Sequence, residues 1–262
     1  MSGAAVVFLM YHELESPGRQ LAQAEPGYVR YVLRAADFRS QMELIKQAGW
    51  KGVSVGESVG SFAEKTVAIS FDDGCETDLL IAAPILRNLG FGGTFYITTG
   101  FLGRRGHLSP SQLRELAALN FEIGCHSRTH AYLTDLTRND LHREVAESKM
   151  ELEQILGSAV QHFSCPGGRY NSQVAAVARE AGYQTVATSR IHANSQTSDP
   201  MALGRVAVLR ATSQADFQRL YQGQGLWRMN LQVQLAAATK KLLGNSAYDR
   251  LRAALLHRDP SA

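Results

Sequence analysis

Short apolar runs rich in Val, Ile and Phe alternate with stretches of helical period through most of this chain: Ala5 to Met10, Thr66 to Phe71, Gly93 to Ile97, Phe121 to Gly124, His162 to Ser164, Gln184 to Ala187 and Arg205 to Leu209. Runs of that length bounded by turn residues predict buried strands, and helices between them predict parallel pairing. About seven such strands imply an α/β fold, a distorted parallel (β/α) barrel. Asp37 to Ala48 reads as a helix with Phe38, Met42, Leu44 and Ile45 on one side, stopped by Gly49. Ser109-Pro110-Ser111-Gln112 is a capping box with Pro at the first helical position, opening a helix to about Leu119. Thr137 caps a longer helix ending near Gly157, and Asn171 opens one closed by Gly182. Residues 14–34 mix Pro, Gly and both polarities without a period and predict a long loop over one end of the sheet. From about Thr212 the alternation stops, and Leu226 to Leu243 and Ala247 to Leu256 read as C-terminal helices with basic residues on one side. The expected organisation is a barrel domain over 1–211 and a helical extension over 212–262.

Composition narrows the function. The chain has 262 residues, 45% apolar and 19% charged, enough for a full core and free of the low-complexity tracts of disordered chains. Its 27 basic and 24 acidic residues leave a net charge of +3 with no run of Lys or Arg, so no nucleic-acid partner is expected. Three cysteines, Cys75, Cys125 and Cys165, fit neither a disulfide framework nor a Cys-x-x-Cys zinc pattern and read as reduced, buried fillers. No basic region precedes the first apolar run, and no run approaches the roughly 20 residues that cross a bilayer, which points to a cytoplasmic chain. The C-terminal helices have two readings, a packed cover or a peripheral membrane-surface or partner-binding pair.

Three segments place polar residues directly after a predicted buried strand, where parallel α/β folds carry their sites. In Ala68-Ile69-Ser70-Phe71-Asp72-Asp73-Gly74 two adjacent carboxylates face one site only if the backbone twists, which Gly74 permits; the alternative is an acidic pair at a helix N-terminus. In Phe121-Glu122-Ile123-Gly124-Cys125-His126-Ser127-Arg128-Thr129-His130 two histidines four apart can share one divalent ion if the turn is helical, with a carboxylate such as Asp73 completing the set. In Phe163-Ser164-Cys165-Pro166-Gly167-Gly168-Arg169-Tyr170-Asn171 the glycines let the backbone approach a ligand, and the Gly167 N–H could aim at an oxyanion. A tight turn before the Asn171 cap explains the same residues.

The three segments in this order resemble the polysaccharide deacetylase family of carbohydrate esterases, which shares its domain with rhizobial chitooligosaccharide deacetylases; the likeness covers roughly residues 4–210. The resemblance implies that Asp72 is the catalytic base, that Asp73, His126 and His130 hold one divalent metal, with zinc first and cobalt or nickel also admitted, and that Ser127 is the small hydroxyl residue between the histidines. Pro166, Gly167, Arg169 and Tyr170 fall in the oxyanion and substrate segment. Met10-Tyr11-His12 and the helix with Asp37, Phe38 and Met42 resemble the branch that acts on bacterial exopolysaccharide poly-N-acetylglucosamine. The expected partner is an N-acetylated carbohydrate, as polymer, oligosaccharide or glycolipid precursor.

Two departures matter. The family carries an Arg two residues before the Pro of its third motif, where it orients the catalytic Asp, and Ser164 stands there in this chain. Arg205 is the expected replacement, with Arg169 second. The family's closing motif, an apolar pair followed by a His acting as general acid, has no convincing match, since His257 falls in a terminal helix; His12, at the end of the first strand, is the better candidate for that role, and a structural hydrogen-bonding role is its alternative. A metal-dependent amide hydrolase is the expected activity, and a non-catalytic carbohydrate-binding relative is the alternative. Non-haem iron oxygenases also use two His and one carboxylate, but the His-x-acid spacing they need does not join these ligands.

Overall fold

A computed structural model describes residues 4–231. The expected helix Leu226 to Leu243 is helical over its described part, 226–231, while the rest of it, the expected helix Ala247 to Leu256 and His257 lie outside the described residues. Among the described residues ten strands form two sheets: β1 (Val7–Tyr11), β2 (Leu14–Glu15), β3 (Leu33–Arg34), β4 (Lys51–Val53), β5 (Thr66–Phe71), β6 (Thr94–Ile97), β7 (Glu122–Cys125), β8 (His162–Ser164), β9 (Thr185–Ala187) and β10 (Val206–Ala207). The large sheet runs β10-β1-β5-β6-β7-β8-β9, all parallel, with β4 also on β5. β4 pairs with the first half of β5 and β6 with its last residues, so the two share one edge. The sheet curls into a half-barrel. Leu203 bridges Ala187 while Val206 pairs Leu9, so one extended stretch touches both β9 and β1.

Every residue of β1 and of β5 is buried, the signature of strands covered on both faces. One face carries Phe8, Ala68, Tyr96, Ala187 and Leu203. The other carries a register-matched row in which Tyr11 stacks on Phe71 at 5.3 Å and Phe71 on Phe95 at 5.0 Å. Phe38, from the helix Ala35–Gln47, meets both Tyr11 and Phe71 edge-on. Each such ring contributes ~1.5–3 kcal/mol of burial free energy, which fixes that helix against the sheet.

The helix signals act as expected. The Ser109 box is complete, Thr137 accepts from the Asp140 N–H and Asn171 from the Val174 N–H. The helix opened by Thr137 passes through a π turn at Arg143–Glu147 and ends at a left-handed Gly157. Three features differ from expectation. Residues 14–34 are not wholly irregular, because β2 and β3 pair in parallel and Pro26–Val29 forms a helical turn. β4 and the helix Val55–Gly60 arise where the sequence shows no apolar run, because a Gly in β4 lets Ile69 and Phe91 close over it. The last strand shortens to two residues because its flanks bond elsewhere: the Arg205 N–H donates to the Arg190 carbonyl. All three cysteines are free and buried. Among the described residues no helix is long and apolar enough to cross a membrane.

Candidate active site

Asp72 continues the inward phase of Ala68 and Ser70, and its N–H donates to the Tyr11 carbonyl, so the sheet itself places it. Arg205 meets it as a fork, Nη1 on Oδ1 at 2.7 Å and Nη2 on Oδ2 at 2.8 Å. Both residues are nearly inaccessible, at 1% for Arg205 and 2% for Asp72. The guanidinium is otherwise satisfied: Nη2 donates to Ser164 Oγ at 2.6 Å, Nε to the Thr188 carbonyl, Nη1 also to Ser70 Oγ, and Tyr96 lies beneath it at 5.4 Å. Burial pushes the Asp72 carboxyl up, but the Arg205 charge and then His126 outweigh it and hold the group well below the ordinary carboxylate range. Ser164 therefore leaves room for a guanidinium arriving from another strand and accepts one of its hydrogen bonds. Arg169, the second candidate, is elsewhere, stacked on Tyr132 at 4.3 Å.

Regular alternation would turn Asp73 away from Asp72. Instead Asp73 takes φ +79° and Gly74 φ +73°, two left-handed residues in succession, and the chain swings Asp73 back to the same side. The two histidines converge by a similar device. The turn between them is not helical, because Ser127 and His130 have φ +66° and +64°, and Ser127 Oγ accepts from the His130 N–H. Glu144 stabilises this conformation by accepting from the Arg128 N–H, the Thr129 N–H and the Thr129 hydroxyl. Nothing in the sequence marks Glu144, since it sits on the π turn of a helix remote from the motifs.

The result is a compact donor set. Asp73 Oδ1 lies 3.6 Å from His126 Nε2 and 3.4 Å from His130 Nε2. One atom from each of the three residues falls within 4.8 Å of the others. Asp73 Oδ1 is buried without a hydrogen-bond partner, a state that protein interiors rarely leave standing and that a cation relieves. His126 Nδ1 is 2.8 Å from the Ser164 carbonyl, an acceptor, so Nδ1 carries the proton and Nε2 presents its lone pair to Asp73. Burial, aided by His130 and opposed by the two aspartates, lowers the His126 pKa to about 4, which keeps the ring neutral and ligand-competent at neutral pH. One carboxylate oxygen and two imidazoles suit zinc and its first-row neighbours.

His12 follows β1 directly, beside Asp72 in register; its ring packs on Tyr31 at 4.8 Å and its buried Nδ1 has no partner. Pro166–Gly168 forms a 3₁₀ turn after β8 with Gly167 at φ +59°, where a Cβ would come within 3.0 Å of the Tyr132 ring. Tyr170 lies beyond that turn beneath Arg190. Tyr132, 51% exposed and next to both His130 and Gly167, is a residue the motifs did not single out. The cysteines take no part in the donor set; burial raises the thiol pKa of each.

Residues 60–186 match the family model described as polysaccharide deacetylase. The Bacillus subtilis protein YxkH, provisionally named as a polysaccharide deacetylase, is 28% identical over 220 residues, 82% of this chain and 75% of that protein. A peptidoglycan-N-acetylglucosamine deacetylase of Bacillus cereus is 32% identical over 124 residues, 47% of this chain and 56% of its own length. The Streptococcus pyogenes deacetylase PplD, solved with acetate, superposes with a TM-score of 0.73 at 21% identity, over 84% of this chain and 99% of PplD. IcaB from Ammonifex degensii gives 0.69 at 22%, over 84% and 97%. At those identities the superpositions show a shared fold.

Proposed function

We propose, from the match of residues 60–186 to the polysaccharide deacetylase model and from the relatives above, that this chain is a metal-dependent hydrolase removing an N-acetyl or similar acyl group from an amino sugar in a polysaccharide, an oligosaccharide or a glycolipid precursor. The observation that carries the proposal is the partnerless Asp73 Oδ1 facing two imidazole Nε2 atoms, while both oxygens of the adjacent Asp72, 3.7 Å from His126 Nε2 at the nearer, are engaged by Arg205. Asp73, His126 and His130 are the residues that would hold a divalent ion, zinc in this reading. Such an ion lowers the pKa of water toward neutrality and polarises an amide carbonyl.

The chain supplies the rest. Asp72, ionised and pinned in plane by Arg205, takes the proton of the attacking water as general base. The Gly167 N–H faces the oxygen on which charge develops. His12, which follows β1 in register with Asp72 and has an unpartnered Nδ1, hands a proton to the departing amine. Breaking the C–N bond yields acetate and a free amino sugar. Pro166, Arg169 and Tyr170 form the wall against which the sugar rests, with Tyr132 packed beneath Arg169 and beside Gly167. The non-catalytic carbohydrate-binding alternative draws on the family guanidinium missing at Ser164, and the Arg205–Asp72 fork weighs against it.

The test is acetate release from N-acetylated sugar oligomers by purified protein with zinc, cobalt or nickel, alongside its metal content. Expected is metal-dependent release that chelation abolishes and that His126→Ala and His130→Ala lose together with bound metal. No release with any of the three ions, from protein that binds them, would falsify the hydrolase assignment.

A further inference from the structure

Four exposed arginines surround the site end of the barrel, each laid over an aromatic ring and none in an ion pair among the described residues. Arg30 lies 5.2 Å from the Tyr31 ring, which also meets His12 at 4.8 Å. Arg104 lies 5.3 Å from Phe101, and Phe101 stacks on His130 at 6.0 Å. Arg169 covers Tyr132 over Gly167, and Arg190 covers Tyr170 at 5.0 Å. The four arginines come from four different connections, after β1, β6, β8 and β9, yet each aromatic abuts a residue of the site or its flanking turn.

Two connections at this end are purely basic. Residues 98–109 and 165–171, which follow β6 and β8, contain three arginines and no Asp or Glu. At the other end, connections 48–50, 90–93, 119–121, 157–161 and 181–184 contain no charged residue, and 61–65 holds one Glu and one Lys. A guanidinium stacked on a ring is held in one plane with its N–H edge free, the geometry that grips the paired oxygens of a carboxylate or phosphate. Exposed cations without an acidic partner also raise the local concentration of anions. A neutral glycan would use the rings and leave four guanidinium edges without partners.

We infer that the ring of arginines selects an amino-sugar glycan bearing anionic groups, carboxylate or phosphate, whose acylated sugar enters the Asp73 site while neighbouring anionic groups rest on the arginines. The acylated sugar in this statement rests on the deacetylase proposal; the preference for an anion does not. The experiment is calorimetric titration of the full chain with three N-acetylated oligosaccharides of equal length: one neutral, one with uronate carboxylates, one with a terminal phosphomonoester. At least one anionic oligomer is expected to bind about tenfold tighter than the neutral one at low salt, and the comparison of the two identifies which anion is preferred. The advantage should shrink as the Debye length falls from about 30 Å at 0.01 M salt to about 10 Å at 0.1 M. Arg104→Gln and Arg190→Gln should each cut the anionic-to-neutral preference by about fivefold. Equal affinity for all three oligomers, or equal losses for neutral and anionic ones in the variants, overturns the inference and leaves the arginines as packing for the rings. Acetate assays on the same oligomers separate the two proposals: anionic binding without metal-dependent release sinks the hydrolase and keeps the ring, whereas release with no anionic preference does the reverse.

Discussion

Two ends of one barrel each bring a carboxylate against imidazole, and they treat it in opposite ways. At the N-terminal ends of the strands, Glu122 accepts from Ser54 Oγ at 3.0 Å, from the Gly56 N–H and from Thr94 Oγ1 at 2.6 Å, and lies 3.4 Å from His162 Nε2. Gly56 is needed there, since a Cβ would fall 2.2 Å from Glu122 Oε2. Thr185 Oγ1 sits 2.9 Å from the other His162 nitrogen. At the C-terminal ends, Asp73 Oδ1 faces two imidazoles with no protein donor at all. The same residue types are thus a finished structural network in one place and an unfinished donor set in the other. What separates them is hydrogen-bond satisfaction, which residue identity does not reveal.

The widest separation between the two ends should come from Asp72→Asn, which keeps the shape of the site and removes the base. Turnover is expected to fall by about 10³-fold while divalent metal stays bound, read by acetate release and metal analysis. Near-normal turnover in that variant would show that Asp72 is not the base. Next is Arg205→Ala, which leaves a buried carboxylate uncompensated and should cost about 3–5 kcal/mol in urea unfolding. Arg205→Lys keeps the charge without the fork, so it should recover much of the stability and little of the activity. An Arg205→Ala protein as stable and active as the parent removes the pair from both accounts.

Glu122→Gln probes the saturated end. It should destabilise by about 1–3 kcal/mol, because donors that a carboxylate satisfies lose an acceptor, and it should leave the metal affinity of the far end in place. A drop in metal affinity with no loss of stability would invert the comparison. Smaller and opposite in sign is Asp73→Asn in metal-free protein. Neutralising a buried oxygen that has no partner should raise stability by about 1 kcal/mol while abolishing metal-induced stabilisation, since a site that needs its ligand is built at the expense of the fold.

The smallest effect is a pH slope. Burial lowers the His162 pKa from its ordinary 6.5, with Glu122 opposing. The unfolded chain therefore takes up a proton before the folded one does. This contribution to stability is complete above about pH 6.5 and is lost as pH falls below it toward the lower folded value. His126, held down to about 4, adds a slope of the same sign between 6.5 and 4 in metal-free protein. His162→Gln should flatten urea midpoints measured from pH 7.5 to 5 without removing the slope due to His126. A slope unchanged by that substitution would show that His162 does not titrate on unfolding.

The strand-helix alternation was legible because a strand buried on both faces has to be apolar throughout, and the capping residues Ser109, Thr137 and Asn171 act within three or four residues of themselves. The same locality explains the misses. β4 has three residues, one of them glycine, and takes its place only because β5 pairs with it. β2 and β3, at the two ends of the segment read as a loop, become strands by meeting each other. In the site, the motifs named Asp72, Asp73, His126 and His130, but a helical turn was the simplest way to bring the histidines together, and the chain uses left-handed Ser127 and His130 instead, supported by Glu144 from a distant helix. Arg205 could be nominated because a guanidinium was missing from the third segment, whereas its fork on Asp72, 133 residues away, belongs to the folded chain alone.

By itself, then, the amino-acid order determined the elements, their parallel arrangement and the residue types available at the strand ends, because those follow from burial and from hydrogen bonds made within a few residues. Only the tertiary structure decided which acid is held by a cation and which is left without a donor, and which histidine is oriented by a carbonyl. These are outcomes of contacts between strands far apart in sequence. Their free energy comes from desolvating paired charges in one place, and no local preference encodes it.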